Sequence, residues 1–252
     1  MNSRLTYDKL TAGAVEGFAR VKNDIGVFAK GYLGIGDVTG GHLNDEDFPP
    51  GIVPYSNTLS NQQDGKLLYA NADVGYDFWA AANTKAGAFI GYHYYNQLEN
   101  GFGCSQIAGN PSICAPAPLA LSQLVITETE AWHSVRLGLA GEVTVLGDRL
   151  KLSGEAAYLP YVLFDGSDNH WLRPDINPLP EQGQGTGVQL EALLSYCITN
   201  QFSIGVGGRY WYMQAPTGTA QFSGGVPASP ETFRTERYGA FAQAAYKFEA
   251  GQ

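Results

Sequence analysis

The sequence predicts an all-β fold, an antiparallel transmembrane β-barrel, and three observations carry that prediction. Long segments alternate apolar and polar residues at period two, the signature of strands with one greasy face. Connections between them alternate between short and long, as the two rims of a membrane barrel do. Aromatic residues gather where strands end, as at a lipid boundary.

Composition narrows the class. In 252 residues, Lys and Arg number 15 against 24 Asp and Glu, a formal net charge of −9. That balance excludes a nucleic-acid partner bound through phosphate neutralisation. Charged residues are only 15%, while Gly (32) and Tyr (15) are abundant, which suits a β-protein. No stretch of about 18 apolar residues exists, so no transmembrane helix is expected. Strands of a membrane barrel alternate and escape that test. Residues 1–252 are expected to form one barrel domain.

Nine strands are predicted, at 3–22, 25–36, 67–79, 86–103, 125–145, 149–171, 187–199, 202–216 and 234–248. The third alternates Leu68, Ala70, Ala72, Val74, Tyr76 and Phe78 with Tyr69, Asn71, Asp73, Gly75 and Asp77. The fifth alternates Val135, Leu137, Leu139, Val143 and Val145 with Ser134, Arg136, Gly138, Glu142 and Thr144. The seventh sets Val188, Leu190, Ala192, Leu194, Tyr196 and Ile198 against Gln189, Glu191 and Ser195. The segments 86–103, 125–145 and 149–171 exceed the usual strand length and suit a tilted crossing of about 9–11 residues with a projection beyond it. Short turns are predicted at 23–24, 80–85, 146–148 and 199–201. Long loops are predicted at 37–66, 104–124, 165–186 and 214–233. Tyr92, Tyr94, Tyr210, Trp211 and Tyr212 are the expected girdle. The polar parity carries Asp73, Asp77, Arg136, Glu142, Lys151, Glu155, Glu191, Arg209 and Lys247, which lipid would not tolerate and a barrel interior would pair.

Met1 to Tyr7 starts directly in a strand pattern, which is expected of a mature or trimmed chain or of a start at an internal methionine. Single-chain bacterial barrels have even strand counts, so nine predicts a further strand ahead of Met1, with Met1 on the long-loop side. Cys104 and Cys114 flank a Gly/Pro-rich segment. A loop disulfide, implying an oxidising compartment, competes there with two free thiols. A zinc site lacks a second Cys or His pair, and Cys197 reads as a packed strand thiol.

Chemistry gathers on the long-loop side. The first long loop carries Asn44-Asp45-Glu46-Asp47-Phe48, and another is entered through Ser167-Asp168-Asn169-His170-Trp171. Spacing of two places Asp45 with Asp47, and Asp168 with His170, on one face of an extended chain. A carboxylate beside an imidazole orients it and raises its basicity. Two close carboxylates share a proton more readily than both ionise. Calcium on Asp45, Glu46 and Asp47 is an alternative without an EF-hand pattern. His42 reads as a loop residue, His93 as part of an interior network, and His133 as a boundary residue. Counting straight from Leu150, Leu152 and Ala156 would turn Asp168 and His170 toward lipid, so a β-bulge is predicted at Pro160 to reset the register.

These residues resemble the omptin family of outer-membrane proteases. The likeness rests on Asp45 and Asp47, on Leu67, Tyr69, Ala70 and Asn71, on Ile90-Gly91-Tyr92, and on Asp168 and His170, in family order across nearly the whole chain. It implies a ten-stranded barrel in the outer membrane of a Gram-negative cell, with the first strand absent here and the site facing outward. It implies an aspartic-type endopeptidase acting on peptides or proteins. Asp168 would hold His170, His170 with Asp45 would activate a water, and Asp47 would assist the oxyanion or share a proton with Asp45. No acyl-enzyme, metal or organic cofactor is implied, although lipopolysaccharide is an implied outer-membrane lipid partner. Two departures stand out: Gly166 occupies a position that is acidic in basic-cleaving members, with Asp165 one residue earlier, and Thr127-Glu128-Thr129-Glu130 stands where a basic lipid-binding cluster is expected. The alternative is a non-catalytic barrel that uses its loops for adhesion or as a structural surface protein. A substrate pore would need an open lumen, which bulky interior residues such as Arg136, Glu155 and Arg209 oppose.

Overall fold

The computed structural model describes residues 2–114, 118–147, 149–222 and 227–248. The predicted turn residue Asp148 and stretches 115–117 and 223–226 of two predicted loops lie outside the described residues. Ten strand segments follow in chain order: β1 (Asn2–Lys22), β2 (Val27–Phe48), β3 (Ser56–Gln62), β4 (Gly65–Ala80), β5 (Thr84–Gln106), β6 (Leu119–Val145), β7 (Leu150–His170), β8 (Leu179–Cys197), β9 (Phe202–Ala220) and β10 (Ser229–Tyr246). Each pairs antiparallel with its neighbours. β3 and β4 both stand between β2 and β5, one beyond the other, with Asp64 at φ 56° between them. The sheet is therefore nine positions wide.

Alternation sorts the side chains as the sequence predicts. An exposed belt of Val15, Leu33, Val74, Ile90, Leu139, Leu190 and Val206 surrounds the outside. It is edged toward the short turns by Tyr76, Trp79, Tyr196 and Tyr246, and toward the long loops by Tyr92, Tyr158, Tyr161 and Tyr238. Water would not tolerate so continuous an apolar girdle, whereas lipid requires it. Trp211 departs from the predicted girdle: its parity points inward, and it is buried.

Inside, charges meet across strands that are not direct neighbours. Arg136 on β6 donates to Asp73 on β4 at 2.8 and 3.1 Å. Arg209 on β9 reaches Glu16 on β1 at 2.7 Å, and Lys30 on β2 reaches Glu155 on β7. The Arg209–Glu16 and Lys30–Glu155 pairs exist only because the sheet curls into a barrel. Among the described residues no ladder joins β1 to β10. Above the ion pairs, Tyr69, Tyr95, Trp132, Leu159, Phe164, Trp211 and Met213 form a buried plug. The interior at this level is filled, which removes the basis for a pore.

The strands run well past their predicted ends on one side. β2 continues to Phe48, β3 is an additional segment, and β8, β9 and β10 extend likewise. Among the described residues the predicted loops shrink to 49–55, 107–114 with 118, 171–178, and 221–222 with 227–228. The reason is chemical. β3 reads Ser-Asn-Thr-Leu-Ser-Asn-Gln, with polar Ser56, Thr58, Ser60 and Gln62 buried inward. Beyond the lipid no apolar face is needed, so these strands lack the pattern that reveals a membrane strand.

Candidate active site

Asp45 and Asp47 lie on β2, not in a loop, and His42 is on the same strand, 3.9 Å from Asp8. The pleat turns Asp45 and Asp47 to the inside with buried Leu43 below them. Glu46 takes the opposite face, where Arg4 Nε and Tyr55 Oη each donate to it at 2.7 Å. The three consecutive acids therefore do not converge, and the calcium site considered for them does not form.

Asp168 and His170 end β7. The ladder to β6 steps between Val135/Tyr161 and Leu137/Tyr158, and the ladder to β8 steps between Leu159 and Val162. One extra residue around Pro160 thus resets the register, as predicted. Ala157 and Leu159 face inward before it, and Val162, Phe164 and Asp168 after it. Without that bulge, both site residues would face outward.

Asp168 Oδ2 lies 3.3 Å from His170 Nδ1, close but longer than a well-formed N–H···O bond. Asp45 is near enough across the mouth for its charge to raise the Asp168 pKa, after burial, the larger cause. Asp45 itself is pushed from 3.8 to about 7, by burial first and then by Asp47 and Glu46. Asp47 is raised by burial, against a hydrogen bond from Ser3 and the charge of Arg173. Its partners are thus Ser3 and Arg173 rather than the Asp168–His170 pair. His170 is lowered to about 4 by burial and by Arg173. This reverses the expected rise in basicity. A carboxyl that resists ionisation offers its imidazole little charge.

The surroundings hold acids that the sequence reading did not assign to the site. Facing residues in the ladders set Glu99, Glu128 and Asp168 in one row across β5, β6 and β7. The next row sets Gln97, Glu130, Gly166 and Glu181 across β5 to β8. The Phe164 ring and Glu181 share the space beside Gly166: a Cβ added there would meet Phe164 Cζ at 2.6 Å and Glu181 Oε2 at 3.2 Å. Arg237 answers part of this charge, donating to Tyr95 Oη at 2.9 Å and Glu99 at 3.2 Å. Glu130 accepts from Trp132 Nε1 at 3.0 Å. Oxygens of Glu128, Asp168 and Glu181 lie within 4.8 Å of one another. Fully ionised, each such pair would repel by roughly 3 kcal/mol at an effective dielectric of ~20. Burial and this repulsion push Glu128 and Glu181 upward. The available signal was Thr-Glu-Thr-Glu continuing the inward parity of Trp132, Ser134 and Arg136.

This barrel, with an acidic mouth over an aromatic plug, superposes on a solved structure, the outer membrane protease OmpT from Escherichia coli. The TM-score is 0.75, at 14% identity, over 98% of this chain and 87% of that chain. The two share a fold. No family model matches the chain, and no curated protein matches it. The OmpT-like barrel brings Asp168 and His170 into contact and sets Asp45 within electrostatic reach of them. The remaining histidines lie elsewhere. His93 is buried against the Trp211 ring, centroids 4.9 Å apart, and His133 Nδ1 is 2.5 Å from the Tyr92 hydroxyl at the boundary. Cys104 and Cys114 form a disulfide, and Cys104 packs with Leu43, Val125 and Ile126 beside the mouth. Cys197 is free, at the end of β8.

Proposed function

We propose that this chain is an outer-membrane endopeptidase whose site opens on the long-loop, extracellular side. The observation that supports this most is the buried Asp168–His170 contact at 3.3 Å, with Asp45 in electrostatic reach, on a barrel of OmpT-like fold. In this reading a water sits between Asp45 and His170. Asp45, with its pKa near 7, is matched to take the water's proton as oxygen attacks the scissile carbonyl. His170, neutral at that pH, orients the water and relays a proton to the leaving amine. Asp168 fixes the imidazole, and Asp47 assists the developing oxyanion or shares a proton with Asp45. The 3.3 Å contact would tighten on substrate binding, as such contacts do in substrate-free sites. The substrate is a peptide or protein segment, and lipopolysaccharide is a required or enhancing lipid.

The test is a peptide-library cleavage screen with the folded protein, with and without lipopolysaccharide, beside His170→Ala and Asp45→Asn. Each substitution should lower kcat/KM by about 10²–10⁴. Cleavage by His170→Ala at the unsubstituted rate would refute the assignment. An absence of cleavage under every lipid condition would favour the adhesive or structural barrel.

A further inference from the structure

We infer that Glu128, Asp168 and Glu181 together bind one hard divalent cation, of which calcium is the natural probe. Their oxygens converge within 4.8 Å from three different strands, β6, β7 and β8. A second observation points into the same space. Glu128 is 5% exposed and Asp168 3% exposed, yet Glu128 Oε1 and Asp168 Oδ1 have no hydrogen-bond partner. The buried hydroxyl of Tyr7, within electrostatic reach of Glu128 and Asp168, is likewise unpartnered. Buried carboxylate oxygens rarely remain without a donor or a cation.

Among the described residues no cation is placed against Glu128 or Glu181, and no salt bridge ends on either. Arg237 is spent on Glu99, and Arg173 pairs with Asp175 at 2.8 Å. An all-oxygen donor set suits calcium, which accepts carboxylates singly or as pairs and completes six to eight ligands with water. It suits zinc poorly, since nitrogen or sulfur is absent from the triad. Binding would draw Asp168 from His170, making the cation an inhibitor. Only that inhibitory consequence rests on the proposed proteolysis.

The experiment is equilibrium dialysis of the detergent-folded full chain against radioactive calcium at pH 8 and fixed ionic strength, with terbium luminescence as a second readout. One saturable equivalent is expected. Glu128→Gln and Glu181→Gln should each weaken binding at least about tenfold, and the double variant should abolish it. Asp47→Asn, at the same mouth but outside the triad, should bind normally. So should His170→Ala, which separates this inference from the catalytic one. Heat-modifiable gel mobility confirms that each variant is folded. The inference is overturned by no saturable uptake at about 10 mM calcium, beyond the weakest calcium sites. Equal uptake by the double variant would overturn it too.

Discussion

Asp45→Asn should make the protein more stable and less active at once. The folded state holds this carboxyl at about 7 against 3.8 in an unfolded chain, through burial first and then the charges of Asp47 and Glu46. Asp168 also lies within electrostatic reach. Below about pH 3.8 both states are neutral and the shift contributes nothing. As pH rises toward 7 the unfolded chain ionises while the folded one resists. A cost to folding grows across that window and is constant above it. At 1.36 kcal/mol per decade the upper limit is about 4 kcal/mol. Residual solvent contact and local relaxation reduce this to about 1–3 kcal/mol. The uncharged amide avoids the cost. Guanidinium unfolding in detergent should therefore place the variant about 1–3 kcal/mol above the parent at pH 8, with the two coincident at pH 3.5. Peptide cleavage at pH 8 should meanwhile fall by two orders of magnitude or more. A variant no more stable at pH 8, or equally stabilised at both pH values, would show that Asp45 is not a strained buried acid.

Other perturbations address the frame. Deleting Pro160 removes the extra residue of the β7 bulge and turns Asp168 and His170 outward. A folded barrel by gel mobility with cleavage reduced at least about 100-fold is expected, and retained activity would refute the register argument. Asp73→Ala strands the buried Arg136 guanidinium, which it contacts at 2.8 Å. A loss of about 3 kcal/mol in unfolding free energy is expected, and a loss under about 0.5 kcal/mol would mean that Glu155 compensates. Leu139→Arg places a cation in the middle of the belt at a side chain 62% exposed. It should cost about 2–4 kcal/mol for folding into bilayers, whereas a water-facing position would show almost none.

The membrane half of the barrel was legible because lipid imposes a rule on each strand. Leu68 to Phe78 and Val135 to Val145 must be apolar every second residue, and period two reads directly. The projecting half obeys no such rule. Its strands are wet outside and packed with polar groups inside, so Ser56 to Gln62 carries no apolar alternation and resembles a loop in sequence. The site was half legible for a related reason. Asp-x-Asp and Asp-x-His are local patterns, and Pro160 marks the register change that makes the second usable. Glu128 and Glu181 come from strands whose pairing with β7 is long-range, and neither sits in a local pattern with Asp168. Burial was illegible as well. Adjacency to Asp168 suggests a more basic His170, but burial decides the direction.

The distribution of charge separates the two halves by purpose. Below the aromatic plug, Lys30, Arg136 and Arg209 each meet acids from other strands, and Asp73, Glu155, Glu16 and Glu191 each meet a base. Above it, the cations that the described residues set within reach of Asp45, Asp47, Glu99, Glu128, Glu130, Asp168 and Glu181 are Arg237 and Arg173. The excess negative charge of the chain is thus concentrated where water is scarce and repulsion is strongest. A barrel built only to be stable or adhesive would gain by pairing or deleting those acids, as its own lower half does. Unpaired buried carboxyls lower stability, and such sites are where function is expected. Neutralising Glu128, Glu181 or Asp45 should therefore raise the unfolding midpoint, while neutralising Asp73 or Glu191 lowers it. That opposition in sign, measured on one protein under one condition, distinguishes a functional mouth from a structural floor without any substrate in hand.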